Sequence, residues 1–158
     1  MNSQLDSVQD RLREASDARM LEMTKGEIRY SGNVDFDALT EESIRKIPVE
    51  LYREGMMYYG KTHRHPNATF RYTTSSLMEL MTWDAIDQIE LINVPLLLIA
   101  GERADSLYMS EEAFLKATGT TEKELFLIPG ATHIQTSFVP EYVEKAVYKL
   151  DTFYGKHL

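Results

Sequence analysis

Two short apolar runs constrain this chain more than any other feature. Residues 94–100 read VPLLLIA and residues 124–128 read ELFLI. Each stops abruptly, the first at Gly101 and the second at Pro129-Gly130. Runs this short, bounded by turn residues, read as strands buried on both faces. Between them Ser110 precedes Glu111 and Glu112, a capping residue with acids in the first helical turn. That helix is expected to end about Gly119. Two buried strands joined through a helix pair in parallel, with a right-handed crossover. Pro140 then opens a final helix. Tyr142, Val143, Ala146, Val147, Leu150 and Phe153 mark its inner face, and Gly155 follows it.

The first part of the chain is different in style. Leu5, Val8, Leu12, Ala15, Met20, Leu21 and Met23 recur at helical spacing over residues 3–24. Ser3 with Asp6 fits a capping box, and Gly26 lies just past the end. Residues 27–47 are less regular, with EIRY a candidate short strand and Ser31-Gly32-Asn33 a turn signal. A second helix is expected from about Pro48 to Gly60, then a loop, KTHRHPNATFRYTT. Ser76 and Glu79 form a further capping box ahead of LMELMTW. Met and Tyr are frequent here and supply adaptable apolar surface with polar tips. The reading is one domain of 158 residues, a helical part at 1–83 and an α/β part at 84–158.

The chemistry falls in the loops after the two strands. In open α/β sheets ligands bind beyond the carboxyl ends of the strands. Asp105 follows the first strand and His133 the second, so parallel pairing brings both loops to one edge. A carboxylate on one imidazole nitrogen fixes the tautomer and leaves the other nitrogen as a base. His63 and His65 form a His-x-His pair with no carboxylate cluster beside it in sequence. They are therefore read as loop or pocket-lining residues, and no metal is assigned.

Bulk properties exclude several classes. With 25 acidic against 17 basic residues the net charge is −8, which opposes nucleic-acid binding and docking on anionic membranes. No cysteine is present, so thiolate catalysis and disulfides are excluded. The polar start, MNSQLDSVQDRLRE, is no secretory signal, and a cytoplasmic location is expected.

The segment from about Trp83 to Leu158 resembles the C-terminal end of the α/β-hydrolase superfamily. It is most similar to its dienelactone-hydrolase-like and peptidase-like bacterial members. The likeness is carried by PLLLIAGERADSLYMSEEAF, KELFLIPGATHI and the terminal FYGKHL. It implies a partial α/β-hydrolase fold: the last two parallel strands with flanking helices, preceded by a helical lid-like region. It implies that Asp105 is the triad acid and His133 the triad base, in the order acid then histidine. It implies no cofactor.

The nucleophile elbow of that family, G-x-S-x-G or a Cys-bearing variant, does not occur in this sequence, so the nucleophile is unknown. Ser75 and Ser76 sit at a helix start, Ser31 in a turn, and Ser106 and Ser110 at turn or cap positions. The expectation is therefore a truncated hydrolase-like chain keeping the acid–base half of a triad and not hydrolytically competent alone. One alternative is an ester, lactone or amide hydrolase whose serine comes from a partner chain or a non-standard position. Another is a non-catalytic binding or assembly module. Two strands leave a sheet edge open. A homodimer or higher oligomer through that edge or through exchanged helices is expected, or else a complementary N-terminal polypeptide.

Overall fold

The computed structural model describes residues 2–158, with side chains from Ser7 onward. The expected Ser3–Asp6 capping box and Leu5 lie outside the described side chains. The chain forms two compact units, Met1–Ala38 with His65–Asp84, and Leu39–Arg64 with Ala85–Leu158. The chain passes between the units three times, last at Asp84/Ala85, and residues 39–64 pack with the C-terminal α/β segment.

The first unit is built on α1 (Asn2–Lys25). Gly26, at φ +70°, takes the left-handed conformation that ends helices, and its N–H donates to the Glu22 carbonyl. The buried face of α1 runs through Ala15 and Ala18. Val8, Met20 and Met23, expected on the apolar stripe, are exposed. The small alanines let the backbone of the Thr74–Ser76 turn and of α4 (Leu77–Leu80) approach. Glu22 accepts the Ser75 hydroxyl at 2.7 Å, and Arg19 pairs with Glu79. Glu79 is thus committed to α1. The Ser76 hydroxyl donates instead to the Thr73 carbonyl at 2.7 Å, so the expected Ser76–Glu79 capping box does not form. A two-residue antiparallel ladder joins β1 (Tyr30–Ser31) to β2 (Tyr72–Thr73).

The second unit carries the α/β arrangement. Helix α2 (Glu41–Arg45) was not legible in the pattern; it begins with a reciprocal Thr40–Ser43 capping box. Helix α3 (Glu50–Met57) continues into one π-helical turn, Tyr58–Thr62. Strands β3 (Leu96–Gly101) and β4 (Lys123–Ile128) pair in parallel, from Leu96↔Lys123 to Gly101↔Ile128. Helix α5 (Leu107–Lys116) joins them, starting before the expected Ser110–Glu111. Lys123 stitches the return by donating to the carbonyls of Phe114 (2.6 Å) and Ala117 (2.8 Å) at the end of α5.

Helix α6 (Pro140–His157) runs past Gly155 and packs on β4. Its inner face is Tyr142, Val143, Ala146, Lys149 and Phe153, while Val147 and Leu150, expected there, are exposed. Lys149 takes an inner position because its stem lies over the Phe126 ring and its amine pairs with Glu124.

Among the described residues no third strand joins β3 and β4, and β1 pairs only with β2. Leu96–Ala100 are accordingly only half-buried, not covered on both faces as their composition predicts. Leu96 and Glu102 donate toward β4. By the alternation of a parallel ladder the N–H groups of Leu97 and Ile99 point the other way.

Candidate functional site

The loops after β3 and β4 emerge at the same edge because the strands are parallel neighbours. They touch at Gly101. A Cβ there would lie 2.4 Å from the Ala131 carbonyl oxygen and 2.8 Å from that of Thr132, so only glycine permits this approach. Arg103 N–H donates to the Ala131 carbonyl at 2.9 Å, and Glu102 accepts the Gly130 N–H at 2.9 Å. Ala131 and Thr132 are buried, which makes a firm base for the exposed His133.

The structure brings the two loops together but gives the two expected site residues different partners. The Asp105 carboxylate accepts the Leu51 backbone N–H at 3.1 Å, at the start of α3. Val49, at the helix cap, has no side chain able to do this. Asp105 therefore supplies both an acceptor and a negative charge to the positive end of α3. The His133 Nδ1 lies 2.6 Å from the Ser106 hydroxyl. No hydrogen bond or ion pair joins Asp105 to His133, so the direct carboxylate–imidazole bond expected from the triad pattern is replaced by Ser106–His133. The reason is local. Ser106 is the residue at which α5 starts, and its side chain makes no cap bond there, leaving its oxygen for the imidazole.

A second cluster lies beside this edge. Tyr58, on the π-turn, stacks on His63 with centroids 4.5 Å apart, and Phe138 meets both rings at 5.1 and 4.8 Å. Glu54, one turn earlier on α3, accepts the Thr132 hydroxyl at 2.6 Å. These side chains, with Met57, Ile134 and Gln135, surround a cavity of about 220 Å³. His63 is thus an aromatic wall residue whose Nδ1 bonds the Thr62 hydroxyl at 2.9 Å. His65 accepts the Asn67 N–H at 3.2 Å. Sequence reasoning read Ser106 as a turn or cap residue and did not single out Glu54 or Phe138. For Ser106 the available signal was its place directly after Asp105 in a strand-to-helix loop.

No protein-family model matches the chain. It is 28% identical over 113 residues to the uncharacterized protein YcjY of Escherichia coli K12, a match spanning 70% of this chain and 37% of YcjY. It is 38% identical over 74 residues to the uncharacterized protein PA2218 of Pseudomonas aeruginosa, spanning 44% of this chain and 19% of that protein. The matches therefore span well under half the length of these relatives. The crystal structure of PA2218 superposes with a TM-score of 0.74 at 24% identity, covering 95% of this chain and 45% of that one. DcsB in complex with its substrate analogue superposes with a TM-score of 0.71 at 14% identity, covering 95% of this chain and 51% of the other. At these identities the likeness is one of fold.

Proposed function

We propose that this chain is the acid–base half of an α/β-hydrolase-like site, carried on the last two parallel strands of a partial α/β-hydrolase fold. It keeps a histidine base without a strand-borne nucleophile, and it is not hydrolytically competent alone. One observation carries this reading: the parallel register of β3 and β4 brings the Asp105–Ser106 loop and the His133 loop to one edge, where His133 is anchored through Nδ1. An imidazole held by one nitrogen and exposed at the other is arranged to take a proton from a nucleophile supplied by a neighbouring polypeptide. That DcsB, which shares this fold, binds a substrate analogue adds support. The open flank of β3 is where the missing strands would join, from a second copy or from a complementary chain.

A second reading is favoured by the 2.6 Å contact itself. Ser106 lies within nucleophile–base distance of His133, at the positive end of α5. In that case the Ser106 oxygen attacks an ester carbonyl while Nδ1 takes the hydroxyl proton. The imidazolium then protonates the leaving alcohol; water, deprotonated by the same nitrogen, attacks the acyl-serine, and the imidazolium returns that proton to the departing Ser106 oxygen as the acid is released.

A fluorophosphonate probe with peptide mapping decides between them. The leading reading expects no labelling of the chain alone at high concentration. Labelling at Ser106, lost in both Ser106→Ala and His133→Ala, would replace it with the second. Labelling at any other serine would overturn both.

A further inference from the structure

The cavity beside His133 has features that the acid–base reading does not use. Its walls come from two separate segments, α3 with its π-turn and the stretch Ile134–Phe138 that directly follows His133. Tyr58, His63, Phe138, Met57 and Ile134 make the lining almost wholly apolar. A volume of about 220 Å³ exceeds the roughly 150 Å³ of an engineered cavity that takes up benzene. A π-turn, which departs from regular helical hydrogen bonding, closes α3 at Tyr58–Thr62. Here it directs Tyr58 and Thr62 to the same cavity.

The one carboxylate in this wall is Glu54. Its Oε2 accepts the Thr132 hydroxyl, and among the described residues no lysine, arginine or histidine pairs with it. A half-buried carboxylate with a single neutral donor and apolar neighbours gains from a further donor, most of all a cationic one. Aromatic rings beside it reinforce attraction for a cation. The same charge repels a carboxylate ligand.

We propose that this cavity is a binding site for a compact hydrophobic amine, an aryl or short alkyl group carrying an ammonium that pairs with Glu54. It rests on the hydrolase reading only in making the bound group part of a substrate, so occupancy can be tested without turnover. The probes are phenethylamine, phenethyl alcohol and 3-phenylpropionate, titrated into the ¹⁵N-labelled full chain. The amine is expected to shift the amides of Tyr58, Ile134 and Phe138 and to bind tightest, with the carboxylate weakest. Glu54→Gln is expected to weaken the amine about tenfold and leave the alcohol unchanged. Gln135→Trp, which gives up the bond its side-chain oxygen accepts from the Thr132 N–H but removes neither Glu54 nor the Thr132 hydroxyl, is expected to block both by filling the cavity. Failure of the amine to shift these amides, tighter binding of the carboxylate, or undiminished amine binding in Glu54→Gln would each overturn the proposal. None of these outcomes bears on labelling by the fluorophosphonate probe.

Discussion

Asp105 and His133 show that a sequence can place a residue in a loop without naming the partner of its side chain. Both residues stand where the strand ends place them. Yet Asp105 holds the first turn of α3 through Leu51, and His133 is held by Ser106. The Asp105 contact is a charge at a helix N-terminus, worth about 0.3–1 kcal/mol at an exposed site. Asp105→Ala is therefore expected to speed amide exchange at Leu51 roughly two- to fivefold while leaving strand β4 protected. Hydrogen–deuterium exchange resolved at single residues measures this. If Leu51 exchange is unchanged and the His133 ring resonances move instead, Asp105 belongs with the imidazole after all.

Among the elements, α1 depends most on polar ties. Its buried positions are alanines, which bring little apolar area, and Arg19 and Glu22 reach across to Glu79 and Ser75. The hydrogen bond from Arg19 holds the Glu79 carboxyl below the usual glutamate range, and its charge adds to this. A carboxyl depressed in the folded state stabilises above its unfolded value, and that stabilisation is lost as pH falls through the lowered one. The Arg19–Glu79 pair is exposed, so salt screens it and the contribution is small. Thermal melts below the ordinary glutamate range are expected to fall less steeply with acid in Glu79→Gln than in the unaltered chain. Identical slopes would mean the pair adds nothing. The pH-sensitive tie was invisible in the sequence, where Glu79 looked like a capping residue for Ser76.

For the whole molecule the open sheet is the dominant fact. Two strands with half-buried leucines, and among the described residues no partner on the outer flank of β3, satisfy neither its backbone nor its apolar surface. We propose that a second copy of the chain completes this surface when no complementary polypeptide is present. Light scattering after gel filtration at micromolar concentration is expected to give at least twice the 18.2 kDa chain mass. Replacing Ile99 by Lys is expected to shift the species toward monomer. A monodisperse monomer of unaltered chain would remove the proposal. No helix among the described residues is long and apolar enough to cross a membrane.

The sequence by itself determined the strand–helix–strand–helix order of residues 94–157, the parallel pairing, and the placing of Asp105 and His133 in loops at one edge. These follow from short-range patterns: apolar runs of strand length, Gly and Pro breaks, and the length of the connection. It also marked the long first helix and its glycine stop. Only the tertiary structure decided that residues 39–64 pack with the α/β segment and that Asp105 meets Leu51. It likewise assigned Glu54 to Thr132, and Ser106 rather than Asp105 to His133. Those partners lie 27 to 78 residues apart in the chain. Which of two adjacent side chains, Asp105 or Ser106, faces the imidazole depends on where α5 begins and how closely Gly101 lets the loops approach. Such distances are set by packing, and no local pattern encodes them.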